Sequence, residues 1–349
     1  MRVVQLMLSK ELGGAEKSYI EIINNLSERN LKILAIGARG GKAKQYLHER
    51  PNILANTVSC LNSYDYMAVL QLFFKIKAFS PDLIHCHLAR ATKFGGLVGK
   101  FLSVPVVSKT HNLVNPKYYR NTSKIVVTTE AQRTHMLNHG FEREHLVKIP
   151  NFRSVDNIIT GKFRTEDKTK QNNFVIKTLG RFVKKKGFDN LIKAVISLRD
   201  KGTQVSLHIA GSGPEKASLL KIINESKYTD EIRLYEWIDD VSGFLSNADL
   251  FVLPSIDEPF GLVVLDAMST GVPILSTKTE GPLEILSTET GYFLDAPNQF
   301  EIAKKIESVF RDPLRFEKAL NARKEFKMRY SAEAVVPLYY SLYKNILTY

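Results

Sequence analysis

Four basic side chains follow a short apolar strand in an arrangement suited to phosphate chemistry. FVIKTL, residues 174–179, runs directly into Gly180-Arg181-Phe182 and then Lys184-Lys185-Lys186-Gly187. A guanidinium at a strand's carboxyl end can grip phosphate oxygens as a bidentate fork, while a lysine supplies a mobile point charge. A second segment, PSIDEPFG at 254–261, ends the apolar run LFVL and opens LVVLDAMSTG. Backbone N–H groups of Phe260, Gly261 and Leu262 would face an anion at that helix start. Glu258 lies in the loop itself. Asp266 interrupts an apolar helix, so its carboxylate needs a partner or a ligand. Gly13-Gly14, after the first strand, and Gly211-Ser212-Gly213-Pro214, after VSLHIA, are further strand-end turns where a ligand can approach the backbone. His85 and His87 share one face of their strand. His111 follows the strand ending in Ser108-Lys109-Thr110, where either a catalytic or a structural hydrogen bond fits.

Some chemistries lack their motifs. Gly13-Gly14 has neither the GxGxxG spacing of a dinucleotide fold nor the GxxxxGK[ST] of a P-loop, which disfavours an NAD-dependent oxidoreductase. No Cys or carboxylate stands at ligand spacing from the histidines, so no metal site is expected. Cys60 and Cys86 are the only cysteines, too few for a disulfide framework, and they read as buried thiols in a reducing compartment.

These residues need a scaffold that places strand ends side by side. Short apolar runs (3–7, 31–36, 83–86, 106–108 and 124–127) alternate with amphipathic segments. Between 15 and 26, Tyr19, Ile22, Ile23 and Leu26 fall on one helical face. The pattern breaks between Asn151 and Asn173 and restarts with strands at 174–179, 205–209, 232–234, 250–253 and 273–275. Asn190–Leu198 and Ser331–Tyr349 read as helices. The fold class is α/β: two Rossmann-like, doubly wound parallel sheets facing each other across a cleft, with ligands at the strands' carboxyl ends. The expected boundaries are residues 1–155, a polar linker at 156–173, a second domain at 174–330, and a C-terminal helix at 331–349 that packs back on the first.

The 349 residues carry 49 Lys and Arg against 36 Asp and Glu. Residues 1–150 hold 21 basic and 10 acidic side chains, whereas the rest holds 28 and 26. Such asymmetry implies an anionic partner for the first half. A nucleic-acid module is disfavoured because no zinc spacing, RNP-like strand or recognition helix accompanies the charge. No apolar run is long enough to span a membrane, and MRVVQLMLS reads as a buried strand rather than a signal peptide. LQLFFKIKAF, 70–79, reads first as a core helix with lysines at its edge. The alternative is a patch that rests on an acidic bilayer. Lys117-Tyr118-Tyr119-Arg120 combines stacking surface with positive charge.

Several of these segments occur in a fixed order: GGAEK (13–17), DLIHCH (82–87), KTHN (109–112), PN (150–151), GRF with KKG (180–187), GSGP (211–214), ADLFVLPS (248–255), EPFGLVVLDAMSTGVP (258–273) and the stretch from EGPLE (280–284) to GYF (291–293). Taken together they resemble the retaining glycosyltransferases of the GT-B fold, family 4 (group 1), in particular those of bacterial lipopolysaccharide and cell-surface polysaccharide synthesis. The resemblance implies a first domain for the acceptor and a second for a nucleotide sugar, most simply a UDP-sugar carrying a hexose or N-acetylhexosamine. It implies that Arg181 and Lys186 hold the diphosphate in place of a metal, that Glu258 contacts the donor sugar, that Asp266 grips the ribose, and that Gly14 lies near the diphosphate or sugar. His111 matches the first domain's active-site histidine, and Glu236-Trp237 stand beside the base pocket. Acceptor-side candidates are Glu16, Lys17, His87, Lys117, Tyr118, Tyr119 and Arg120. The implied acceptor is a saccharide or lipid-linked saccharide, with no cofactor and no nucleic acid. The implied location is cytoplasmic or peripheral on the inner membrane's cytoplasmic face. The chain departs from the family pattern at Asp266, where Glu is usual, at Pro259, after Asn151, and at Glu236-Trp237. A non-catalytic nucleotide- or glycan-binding scaffold of the same fold is the remaining alternative.

Overall fold

The computed structural model describes residues 1–154 and 173–348. They form two compact units, one made of Met1–Ser154 with the segment from Tyr330 onward, the other ending at Arg329.

The first unit contains strands β1 (Arg2–Met7), β2 (Lys32–Ala38), β3 (Ile53–Val58), β4 (Leu83–His87), β5 (Val106–Lys109), β6 (Lys124–Val127) and β7 (Leu146–Lys148). They pair in parallel in the order β3-β2-β1-β4-β5-β6-β7. Helices α1 (Gly14–Leu26), α2 (Tyr66–Phe79), α3 (Leu88–Leu102) and α4 (Glu130–Asn138) connect them. Strand alternation sorts the side chains onto two faces. Val3, Met7, Leu83 and Val107 pack with residues of α1 and of the C-terminal helix, while Val4, Leu6, Ile84 and Val106 pack with α2 and α3. Burial on both faces is why these strands read as unbroken apolar runs.

The second unit repeats the plan. Its strands are β8 (Phe174–Leu179), β9 (Val205–Ala210), β10 (Ile232–Tyr235), β11 (Leu250–Leu253), β12 (Ile274–Thr277) and β13 (Tyr292–Leu294), parallel in the order β10-β9-β8-β11-β12-β13. Helices α5 (Phe188–Asp200), α6 (Lys216–Asn224), α7 (Val241–Leu245), α8 (Leu262–Thr270), α9 (Glu280–Ile285), α10 (Gln299–Arg311) and α11 (Arg315–Arg329) accompany them. The order reverses at β8, so the carboxyl ends of β8, β9 and β11 flank the switch point where ligands of such sheets bind. The last helix, α12 (Ala332–Leu347), belongs to the first unit, where Val335, Val336, Tyr339, Leu342 and Tyr343 join the core against α1 and β1.

Three strands, β3, β7 and β13, were not anticipated from sequence; they are short or, like β3, only partly buried. The break after Asn151 starts later than the composition suggests. Asn151 and Phe152 are buried, and Arg153 bridges to Ser331 beside α12. The linker expected at 156–173 lies outside the described residues except for Asn173, whose side chain donates to Ser206 Oγ at 3.0 Å. The reading of 70–79 as a core helix with lysines at its edge holds for one face only. Ala68, Leu72, Ile76 and Phe79 of α2 are buried, but Leu70 and Phe74 are exposed, because apolar residues occupy both of the helix's faces.

Candidate functional site

In the second unit, three loops at the carboxyl edge are laced together. Gly180 N–H donates to Ala210 O (3.0 Å), Phe182 N–H to Ser212 O (2.8 Å) and Glu215 N–H to Phe182 O (3.0 Å), joining the turns after β8 and β9. Gly213 has φ +154°, and a Cβ there would overlap the Phe182 backbone, so this close approach requires glycine. The turn after β11 is fixed to the β8 loop by Ile256 N–H donating to Lys185 O (2.8 Å), and to α9 by Gly281 N–H donating to Glu258 O (2.9 Å).

Within that frame Lys186 and Glu258 form an ion pair, both side chains being nearly buried. Seventy-two residues apart in sequence, they meet because β8 and β11 are neighbours in the sheet. A low-dielectric setting strengthens such a pair and also fixes where both groups point. Arg181 lies exposed at the end of β8. Gly261, in the left-handed region at φ +88°, is the N-cap of α8 and turns the chain so that the helix starts at Leu262. Phe260 is buried, and Asp266 is buried along α8. Gly211 closes the end of β9, its N–H donating to Tyr235 O at 3.1 Å. After β10, Glu236 is exposed and ion-paired to Lys216, and the Trp237 indole donates to Asp239 Oδ1 at 3.2 Å.

In the first unit a polar network that sequence reasoning missed crosses the middle of the sheet. Gln5 Nε2 donates to Tyr343 Oη (3.0 Å), and His85 Nδ1 lies 2.6 Å from the same hydroxyl. Tyr343 Oη thus links Gln5 and His85 in one hydrogen-bonded chain. His87 Nε2 donates to Gln5 Oε1 at 3.0 Å, and Lys109 Nζ donates to Tyr339 Oη at 2.7 Å. The rings of His85 and His87 are 4.4 Å apart, and those of His87 and His111 5.6 Å. Burial holds all three imidazoles well below the usual histidine range, with the nearby Lys109 adding to the effect. Burial also lowers the Lys109 amine from 10.5 to about 7. His111 Nε2 is buried without a hydrogen-bond partner among the described residues. The signal for the network was Gln5, a lone polar residue inside the apolar strand VVQLM.

Two acceptor candidates are corrected. His87 has no exposed surface and packs edge-on to Tyr19, and Tyr119 is buried in the core under α4; burial leaves neither a face for an acceptor. Lys117, half-buried Tyr118 and Arg120 remain accessible, with the Lys117 ammonium 5.0 Å from the Tyr118 ring centre. Glu16 is buried and accepts from Gly13 N–H at 2.9 Å, capping α1, while Gly14 and half-buried Lys17 lie on the first turn of that helix. Among the described residues no group of three or more His, Cys, Asp or Glu side chains is placed to hold a metal ion.

Residues 160–328 match the family described as glycosyl transferases group 1, and residues 12–157 match glycosyltransferase family 4. Together the two matches run through nearly the whole chain in the order the motifs require. The chain belongs to the group 1 glycosyltransferases of family 4. This glycosyltransferase is 28% identical to the lipopolysaccharide core biosynthesis glycosyltransferase LpsE of Rhizobium meliloti, over 98% of both chains. It is 23% identical to the capsular polysaccharide biosynthesis glycosyltransferase CapM of Staphylococcus aureus, over 93% of each. Its fold is that of the Anabaena protein HepE, solved in complex with UDP-glucose, with a TM-score of 0.82 at 20% identity over 99% of this chain and 100% of that one.

Proposed function

We propose that this glycosyltransferase moves a hexose or N-acetylhexosamine, with retention, from a UDP-sugar to a hydroxyl of a saccharide or lipid-linked saccharide in lipopolysaccharide or surface polysaccharide synthesis. The observation that carries the reading is the Lys186–Glu258 pair, set with Arg181 at the carboxyl edge where β8 reverses the strand order. Solved HepE with UDP-glucose and relatives named for lipopolysaccharide and capsule synthesis support the donor and acceptor classes.

In this reading the bond between the anomeric carbon and a diphosphate oxygen breaks as the acceptor hydroxyl bonds to the same face of that carbon. The hydroxyl proton passes to the departing phosphate oxygen. Negative charge grows on the diphosphate, so Arg181 and Lys186 bind the transition state more strongly than the ground state. The incoming phosphate competes with Glu258 for Lys186 Nζ, releasing the carboxylate to accept from sugar hydroxyls. Asp266 takes the ribose hydroxyls, Gly211, Gly213 and the α8 N–H groups face the diphosphate, and Glu236-Trp237 flank the base. In the first unit, Gly13 and Gly14 are assigned to the donor, His111 to the transfer step, and Lys17, Lys117, Tyr118 and Arg120 to the acceptor. No step is assigned to a metal ion. The enzyme works in the cytoplasm, with its basic first half against an anionic membrane.

A thermal-shift panel of UDP-, GDP-, ADP- and CMP-sugars tests the donor, and UDP-sugars are expected to give the largest rise in Tm. Because Arg181 is exposed, Arg181→Ala should leave Tm nearly unchanged while lowering kcat by about 100-fold. Unaltered turnover in that variant, or stabilisation by DNA and by no nucleotide sugar, would reverse the assignment.

A further inference from the structure

The proposed membrane contact leaves open which surface makes it. α2 is apolar on two opposite sides. Its buried side seats Ala68, Leu72, Ile76 and Phe79 in the core. Its outward side carries Tyr66, Met67, Leu70 and Phe74, which are 77%, 65%, 46% and 60% exposed. At 3.6 residues per turn these four fall within about 100° of arc, a continuous apolar stripe left largely exposed by the described residues. The loop before the helix extends the stripe through Leu61, 88% exposed, and Tyr64, and Phe101 at the end of neighbouring α3 is 70% exposed. An apolar surface of this extent marks a docking face rather than scattered exposed residues.

The loop's exposure is built in. Asp65 accepts from both Leu61 N–H (2.9 Å) and Ala68 N–H (3.0 Å), tying the loop to the first turn of α2. Lys93 of α3 donates to Ser63 O at 2.6 Å and places its ammonium 4.1 Å from the Tyr64 ring centre. The loop's backbone and the Tyr64 ring are thus fixed by contacts to Asp65 and Lys93.

Charge selects the occupant. From Leu61 to Thr129 there are nine Lys and Arg, of which Lys109 is buried, against two acidic residues, Asp65 and Asp82. Exposed Lys77 stands on the outward side of α2, and exposed Lys100 adjoins Phe101. An apolar stripe bordered by lysines, whose one acid between residues 61 and 74, Asp65, is engaged by backbone N–H groups, complements an anionic bilayer, where rings and alkyl chains enter the acyl boundary and ammonium groups stay among the headgroups. A second copy of this chain would bring two basic surfaces together. We infer that the Leu61–Phe74 stripe with Phe101 is a docking surface for an anionic lipid bilayer. The inference rests on the proposed membrane contact for its purpose, and on the geometry of α2 and α3 for its location.

The test is co-sedimentation of the full chain with vesicles. Vesicles of phosphatidylethanolamine with phosphatidylglycerol should bind it, pure phosphatidylcholine should not, and added salt should weaken binding. The double variant Tyr66→Ser/Phe74→Ser should bind about tenfold more weakly or less, and Phe101→Ser, on a separate helix, should weaken binding in the same direction. All three side chains are exposed, so Tm should hold in both variants. Equal binding by wild type and both variants, or no binding to anionic vesicles, overturns the inference. So does a dimer in light scattering that the same substitutions dissociate. Sugar transfer to a water-soluble acceptor is measured in parallel. Vesicle binding without transfer counts against the proposed reaction alone, and transfer without vesicle binding counts against the docking surface alone.

Discussion

Lys109 is a fully buried amine that donates its hydrogen bond to a neutral phenol, Tyr339. Its pKa of about 7 when folded, against an ordinary 10.5, means that the unfolded chain binds more protons between those values. Stability therefore rises with pH across that window, and the full penalty of burying the charge is felt below pH 7. The buried imidazoles act on the other side of neutrality. Their folded pKa values lie well below 6.5, so the unfolded chain takes up protons first and stability falls as pH drops through 6.5. Lys109→Met should flatten the rise between pH 7 and 10 and soften the acid limb without removing it, since burial is the larger cause there. Denaturant midpoints followed by far-UV circular dichroism across that range check the sign; a midpoint in Lys109→Met that still climbs as steeply as wild type would show that another group is responsible.

At the level of elements, the carboxyl-edge loops of the second unit act as one braced body, because each is hydrogen-bonded to the next. Gly213→Ala sets a Cβ against the Phe182 backbone at a φ that disfavours side chains. The expected cost is about 2 kcal/mol of stability, with transfer reduced further because Arg181 adjoins the displaced Phe182. A variant with wild-type Tm and activity would mean the brace does not position Arg181. Much of this edge was legible in the sequence. LFVLPS and FVIKTLG are strands buried on both faces, so their ends announced themselves through the abrupt change to Gly, Pro and charge. Glu258 and Lys186 could be named singly, but their pairing needed the adjacency of β8 and β11, which periodicity does not encode. The network of Gln5, His85, Lys109, Tyr339 and Tyr343 was less legible still, because its members lie up to 338 residues apart and each alone reads as an ordinary core or surface residue. Strand β3 was hidden for a simpler reason: only Val58 is fully buried, and ILANTV shows no long apolar run.

For the molecule as a whole, chain order and spatial order differ. The first unit is completed only by α12, after the chain has built the entire second unit. That helix supplies Val335, Tyr339, Leu342 and Tyr343 to the core and satisfies His85, Gln5 and Lys109. Ending the chain at Arg329 would remove the α12 partners of Gln5 Nε2, His85 Nδ1 and Lys109 Nζ, each at a cost of roughly 1–3 kcal/mol, and would uncover α1. Limited proteolysis of the shortened chain should digest residues 1–154 while a fragment within 173–329 stays protected; equal resistance of both would show that α12 is dispensable. The charge imbalance also acquires a place, since the long run poor in acids spans α2 and α3 and their neighbours.

Trp237 is the only tryptophan in the chain, and it sits at the end of β10 in the second unit. Indole emission therefore observes one half of the protein and is blind to the other. A change in that emission on adding a nucleotide reports the β10 edge directly, with no label, while the tyrosine-rich core around α12 stays optically separate. The enzyme carries its own local spectroscopic probe in one of the two residues assigned to the base.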